Sequence, residues 1–161
     1  MDLPEFLKVD FIFYRYEKIN VKNLYASLIK KSGNVKFCTI YETPHYIFVR
    51  HFLYGENTYV ISDYDSYQDY ESTNIKACNE HEFIQLIKSI EINGYDWENN
   101  PILVHRNWKR LVPLGRWDIA DGFHRLAILT ALGENDIMVG TLRYKNNILK
   151  RLLNRFKKYL Y

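Results

Sequence analysis

Between Asn79 and Tyr144 the apolar residues switch between helical and strand spacing in one order, and that order limits the fold more than any other feature. "NEHEFIQLIKSIEING" sets Phe83, Leu86, Ile87 and Ile90 on one stripe at helical spacing. Asn79 suits the N-cap, Glu82 three positions on completes a loose capping box, and Gly94 suits the stop. "PILVH" (Pro101–His105) reads as a short strand, and "NWKRLVPLGRWDIA" as a hairpin-like return into a second. Phe123 to Leu132 reads as a helix ended by Gly133, and "DIMVGTLRY" as a third strand. Helix, strand, hairpin strand, helix and strand make a small α+β unit.

The residues ahead of this unit mix both signals. "FIFYRY" (Phe11–Tyr16) reads as an aromatic strand. "NVKNLYASLIKK" predicts a helix with Asn20 as N-cap and Val21, Leu24, Tyr25 and Leu28 on one side. Ser32–Asn34 breaks it. "VKFCTIY" and "HYIFVRHFL" predict strands, and Gly55–Asn57 a turn before a further strand, "TYVIS". Residues 63–80 are polar and aperiodic and read as a loop. The organisation expected is an N-terminal α+β extension over 1–70, a core over 71–145, and a basic amphipathic helix over 146–161.

A chain of 161 residues with 47% apolar and 25% charged residues suits one domain with a buried core, not global disorder. The net charge of +3 is also local: Lys150, Arg151, Arg155, Lys157 and Lys158 lie in the tail, and the rest is slightly acidic. A nucleic-acid binder shows a broader basic footprint, so the charge argues against that partner. The tail's apolar stripe faces either its own domain or an anionic membrane surface. No signal peptide or membrane-spanning run is visible, and Cys38 and Cys78 form no CxxC pair, which fits free thiols in a reducing cytoplasm. His45, Arg50 and His51 read as a surface strand with the histidines on opposite faces, against a shared metal. Asp63, Asp65 and Asp69 lack the EF-hand spacing and read as a polar loop.

The most chemical stretch is "WDIADGFHRLAILTALGEN". A strand stops at Asp121-Gly122, and Phe123, His124 and Arg125 open a helix. Glycine lets the backbone turn sharply, and a helix start offers unpaired N–H groups and a positive dipole end to an anion. Arg125 can grip a phosphate in two places and His124 can donate once more. Asp121 fits a Mg²⁺ ligand, an orienting partner for His124, or a proton acceptor. The plain alternative is an N-cap aspartate beside two solvated first-turn residues.

The wider arrangement resembles the ParB/sulfiredoxin superfamily. Its "SI..nG", "PI.V", "DG.HR", "LG" and "I.V" elements appear here as Ser89-Ile90 with Gly94, Pro101-Ile102 with Val104, Asp121–Arg125, Leu132-Gly133, and Ile137 with Val139. The match covers about residues 79–145. It implies an α+β, ParB/sulfiredoxin-like core with a small mixed sheet and helices. Phe123 stands where sulfiredoxins carry their cysteine, so their chemistry is not implied. Only a short basic stretch follows Tyr144 in this sequence, so a DNA-binding role of the ParB partition type is not what the resemblance leads one to expect. The turn is most similar to that of the free-serine kinases, with Phe123 in place of their first histidine. That resemblance implies nucleotide phosphates on Gly122, Phe123, His124 and Arg125, Mg²⁺ on Asp121, and catalytic roles for Asp121, His124 and a glutamate base ahead of the first helix. Glu71 is favoured for the base; Glu80 and Glu82 remain candidates. The expected function is an ATP- (or ADP-) and Mg²⁺-dependent kinase acting on a hydroxyl of a small metabolite. A ParB-like DNA-binding module and a non-catalytic nucleotide sensor are the alternatives.

Overall fold

The strands are β1 (Phe11–Asn20), β2 (Leu24–Ile29), β3 (Val35–Thr39), β4 (Ile102–His105), β5 (Trp117–Asp121) and β6 (Asp136–Tyr144). In this computed structural model, which describes residues 2–29, 32–56, 64, 67–73, 78–106 and 116–145, they join in one six-stranded sheet. The order is β1-β6-β4-β5-β2-β3. β4 runs parallel to β6 and antiparallel to β5, while β2 runs parallel to β5. β1 closes one edge against β6, and the β2–β3 hairpin closes the other, both antiparallel. Strands from the first 70 residues therefore flank the three from the C-terminal half.

Five helices complete the described architecture: α1 (Glu5–Lys8), α2 (Pro44–Tyr54), α3 (Tyr67–Thr73), α4 (Glu80–Asn93) and α5 (Phe123–Ala131). Side chains alternate across a strand, and two clusters result. In the larger, Phe48 and Val49 of α2, Phe83 and Ile87 of α4 and Leu126 and Ile128 of α5 join Ile102, Val104, Ile119 and Val139 of the sheet. In the smaller, Leu3, Leu7 and Phe11 cover Leu103 and Leu142. The protein is thus a mixed α+β structure. No helix among the described residues is long and apolar enough to cross a membrane. Cys38 is buried, Cys78 is half-buried, and both are free.

The C-terminal elements fall where the spacing predicts them. Asn79 Oδ1 accepts the Glu82 N–H at 2.9 Å, and Gly94 ends α4 at φ 78°. The N-terminal half needs three corrections. Residues 24–29, predicted helical, form β2: Leu24, Ala26 and Leu28 are buried in strand alternation, and small Ala26 masked that period. Asn20 does cap, but it caps a 3₁₀ turn over Val21–Asn23. "HYIFVRHFL", predicted a strand, is helix α2. Thr43 accepts the Tyr46 N–H, Pro44 takes the first turn, and Gly55 closes the end at φ 67°. Its buried His45, Phe48 and Val49 follow helical spacing, which β-branched Ile47 and Val49 hid. The loop predicted over 63–80 contains α3, whose Tyr67 and Tyr70 are buried three positions apart. The strand at 58–62, Asp63, Asp65, most of the stretch before Trp117, and the tail helix over 146–161 lie outside the described residues.

Candidate functional site

The β5–α5 turn is shaped by contact with β4. Gly122 sits in the left-handed region at φ 92°, and a Cβ there would lie 3.1 Å from Ile102 Cα. Close passage of β4 therefore requires glycine at this turn. Gly122 supplies no side-chain cap, and its carbonyl accepts the Leu126 N–H at 2.9 Å. The N–H groups of Phe123, His124 and Arg125 thus form a bare amino end on a nine-residue helix.

Arg125 folds back toward β4 and β5. Its Nη2 donates to Asp121 Oδ2 at 3.1 Å and its Nη1 to the Asn100 carbonyl at 2.5 Å. The pair is at the margin of the surface, with 36% of the Asp121 side chain and 19% of that of Arg125 exposed.

His124 turns the other way. Its Nε2 lies 2.8 Å from Tyr67 Oη, and its ring meets those of His45 and Phe83 edge-on at 4.5 and 4.6 Å. Tyr67 Oη also donates to the Cys78 carbonyl at 3.1 Å. A phenol has one hydrogen, so both bonds together assign the His124 proton to Nε2 and leave Nδ1 as an acceptor. Burial pushes the His124 pKa down to about 4, and the charge of Arg125 adds to this while Asp121 opposes it. The imidazole is neutral at pH 7, and one of its nitrogens is held inside the protein. Phe123 is half-buried, with its ring packed against the large cluster.

His45 lies beneath. It is 4% exposed, its Nδ1 has no hydrogen-bond partner among the described residues, and Tyr70, Phe83, Phe123 and His124 surround its ring. Burial first, then the neighbouring His124, holds it well below the usual histidine range.

Glu71 lies on helix α3 instead of the predicted loop. Its Oε2 accepts the Glu80 N–H at 3.3 Å, bracing α3 against the start of α4. Glu80 accepts from Gln68 at 2.7 Å, and Glu82 accepts from the Cys78 thiol at 3.7 Å. Glu71 follows Tyr67 by one helical turn, so α3 carries both the favoured carboxylate and the phenol that meets His124. The structure thus brings Asp121, Gly122, Phe123, His124 and Arg125 to one turn and ties α3 to it through Tyr67.

Among the described residues no group of three or more His, Cys, Asp or Glu side chains is placed to hold a metal ion. Asp121 alone fits Mg²⁺ only as one anchor of an ion that takes its other ligands from phosphate and water. Sequence reasoning missed Tyr67, His45 and the Asn100 carbonyl. The Tyr67/Tyr70 spacing and the Thr43-Pro44 helix start were the signals for the first two. No protein-family model matches the chain, no curated protein matches it in sequence, and no solved structure matches it.

Proposed function

We propose that the protein is an ATP- (or ADP-) and Mg²⁺-dependent kinase for a hydroxyl of a small, serine-like metabolite, built on a ParB/sulfiredoxin-like core and working in the cytoplasm. The observation that carries this reading is the bare amino end of α5, flanked by the accessible Asp121–Arg125 pair. Phosphoryl transfer asks a protein mainly for positioned donors and charge neutralisation. The N–H groups of Phe123, His124 and Arg125 take phosphate oxygens. Arg125 exchanges the Asp121 carboxylate for phosphate, a ligand its fork fits equally well. Asp121 is thereby released to anchor Mg²⁺. The bound nucleotide and Mg²⁺ supply the phosphoryl group and the balancing charge. His124 acts through its Tyr67 bond, which holds α3, and Glu71 on α3 takes the proton of the acceptor hydroxyl.

A ³¹P NMR assay of ATP, ADP and CTP with serine and other small alcohols tests this. The expected result is a new phosphomonoester signal that requires Mg²⁺ and an alcohol. Nucleotide bound without turnover assigns the sensor instead, and steeply salt-dependent DNA binding assigns the ParB-like module. No nucleotide binding at all removes the phosphate reading of the turn.

A further inference from the structure

A cavity of about 490 Å³ opens at the opposite end of β5 from Asp121, beside Trp117. Its lining includes three arginines, Arg15, Arg106 and Arg143, and one carboxylate, Glu17. Glu17 pairs with Arg15 at 3.4 Å. Among the described residues no carboxylate pairs with Arg106 or Arg143. Each instead lies over an aromatic face: Arg106 Cζ is 4.6 Å from the centre of the Trp117 ring, and Arg143 Cζ is 3.2 Å from that of Tyr14. Arg15 Cζ is 5.1 Å from the same Tyr14 ring.

The strand register concentrates this charge. His105 pairs with Leu142 on parallel neighbours, so Arg106 and Arg143, the next residue of each, leave adjacent strand positions on the same side. Arg15 pairs with Thr141 across β1 and β6, which brings the third guanidinium to the same corner. Like charges on neighbouring strands repel, and a chain with a net charge of only +3 has gathered three of its cations here. A guanidinium laid flat on a ring keeps its N–H edge for a two-oxygen anion and offers its outer plane to a second flat group. The volume lies in the range of small-ligand pockets.

We infer that this corner is a second ligand site, separate from the β5–α5 turn, and that it takes a nucleotide: a phosphate on the N–H edges of Arg106 and Arg143, and a planar base stacked on the outer plane of a guanidinium that lies over Trp117 or Tyr14. The same chemistry is presented by a free nucleotide and by one residue of a single strand. The cavity admits one such unit.

Calorimetry on the full chain tests the assignment with AMP, adenosine, inorganic phosphate and a short single-stranded oligonucleotide. Arg125→Ala serves as background, to silence the turn. AMP is expected to bind with a 1:1 stoichiometry in that background and to lose affinity at least about tenfold in Arg106→Gln and Arg143→Gln, the loss of a charged hydrogen bond. Adenosine and phosphate alone are expected to bind at least about tenfold more weakly than AMP. An oligonucleotide binding far above AMP, with the same arginine dependence, identifies the source as a strand; equal affinities identify the free nucleotide. AMP affinity unchanged by both arginine substitutions overturns the site. Phosphate binding as tightly as AMP overturns the base-stacking half. Should a glutamine variant fail to fold by circular dichroism, Arg143→Lys, which keeps the charge and loses the flat fork, gives the same reading from the folded protein.

Discussion

Tyr67 Oη and His124 Nε2, 57 residues apart in the chain, meet at 2.8 Å and join α3 to the first turn of α5. Tyr67 is 2% exposed, and burial raises its pKa above the usual tyrosine range, so it is a neutral donor at any physiological pH. Tyr67→Phe removes the phenol and leaves both the Cys78 carbonyl and the His124 nitrogen short of a partner. The expected cost is about 1–3 kcal/mol of stability, since buried groups are left unsatisfied. Urea unfolding of the two proteins measures it. A change below about 0.5 kcal/mol means that water replaces the phenol and that the bond does not fix α3.

The two inner histidines predict acid sensitivity. The folded pKa of His124 is lowered to about 4 from 6.5, and that of His45 is lowered as well. Above pH 6.5 both are neutral in both states and their contribution is fully present. As pH falls from about 6.5 toward 4, the unfolded chain takes up protons that the folded chain refuses, so stability drops. For His124 the loss reaches at most about 3 kcal/mol by pH 4. His45→Phe removes one titrating group and its unpartnered Nδ1. It should be at least as stable as wild type at pH 7.5 and show a shallower decline between pH 6.5 and 4 in urea titrations. An equal slope in the two proteins shows that His45 takes no part.

Gly122→Ala tests the turn's geometry. The φ of 92° is strained for an L side chain, and the new Cβ would meet Ile102 backbone at 3.1 Å. The left-handed conformation alone costs roughly 1–2 kcal/mol, and a backbone contact that cannot yield adds to it. A loss above about 2 kcal/mol is expected in thermal or urea unfolding. A loss under 1 kcal/mol means that the turn relaxes, and the close approach of β4 is then not what requires glycine.

The C-terminal elements were legible because spacing and punctuation agree there. Phe83, Ile87 and Ile90 repeat at helical period between the Asn79 cap and Gly94, and Gly133 stops α5 before β6. In the N-terminal half they conflict. Ile47 and Val49 are strand formers inside a helix, and the helix signals, Thr43-Pro44 and Gly55, lie outside the apolar run. Tyrosines in a polar stretch concealed α3, although Tyr67 and Tyr70 are core residues. At the site, the local turn Asp121–Arg125 could be read because it is contiguous. The inward turn of His124 could not, because Tyr67, His45 and Phe83 reach it from three other helices.

Asp121 and Arg125 can be a brace or a ligand site, and the two roles scale differently. As a brace, a partly exposed ion pair four residues apart on the chain contributes about 0.3–1 kcal/mol, and Arg125 adds its bond to the Asn100 carbonyl. If that were its whole role, Arg125→Ala would cost a little stability and leave nucleotide affinity untouched. As a phosphate site, the same substitution, made in Arg106→Gln so that the second corner is silent, should weaken nucleotide binding by roughly 1.5–3 kcal/mol while the protein stays folded. Asp121→Asn frees Arg125 and removes the anchor for Mg²⁺, so nucleotide affinity should lose its dependence on magnesium without collapsing. Glu71→Gln keeps an oxygen for the Glu80 N–H and removes only basicity. It should lower turnover on the order of 10²–10⁴-fold with affinity unchanged. A magnesium titration of calorimetry and ³¹P turnover across the three variants separates these roles. Should Glu80→Gln or Glu82→Gln lose turnover where Glu71→Gln does not, the base lies at the start of α4. Should Arg125→Ala bind nucleotide as its parent does when the Arg106/Arg143 corner is silenced by Arg106→Gln in both, the pair is a brace and the bare end of α5 holds no phosphate.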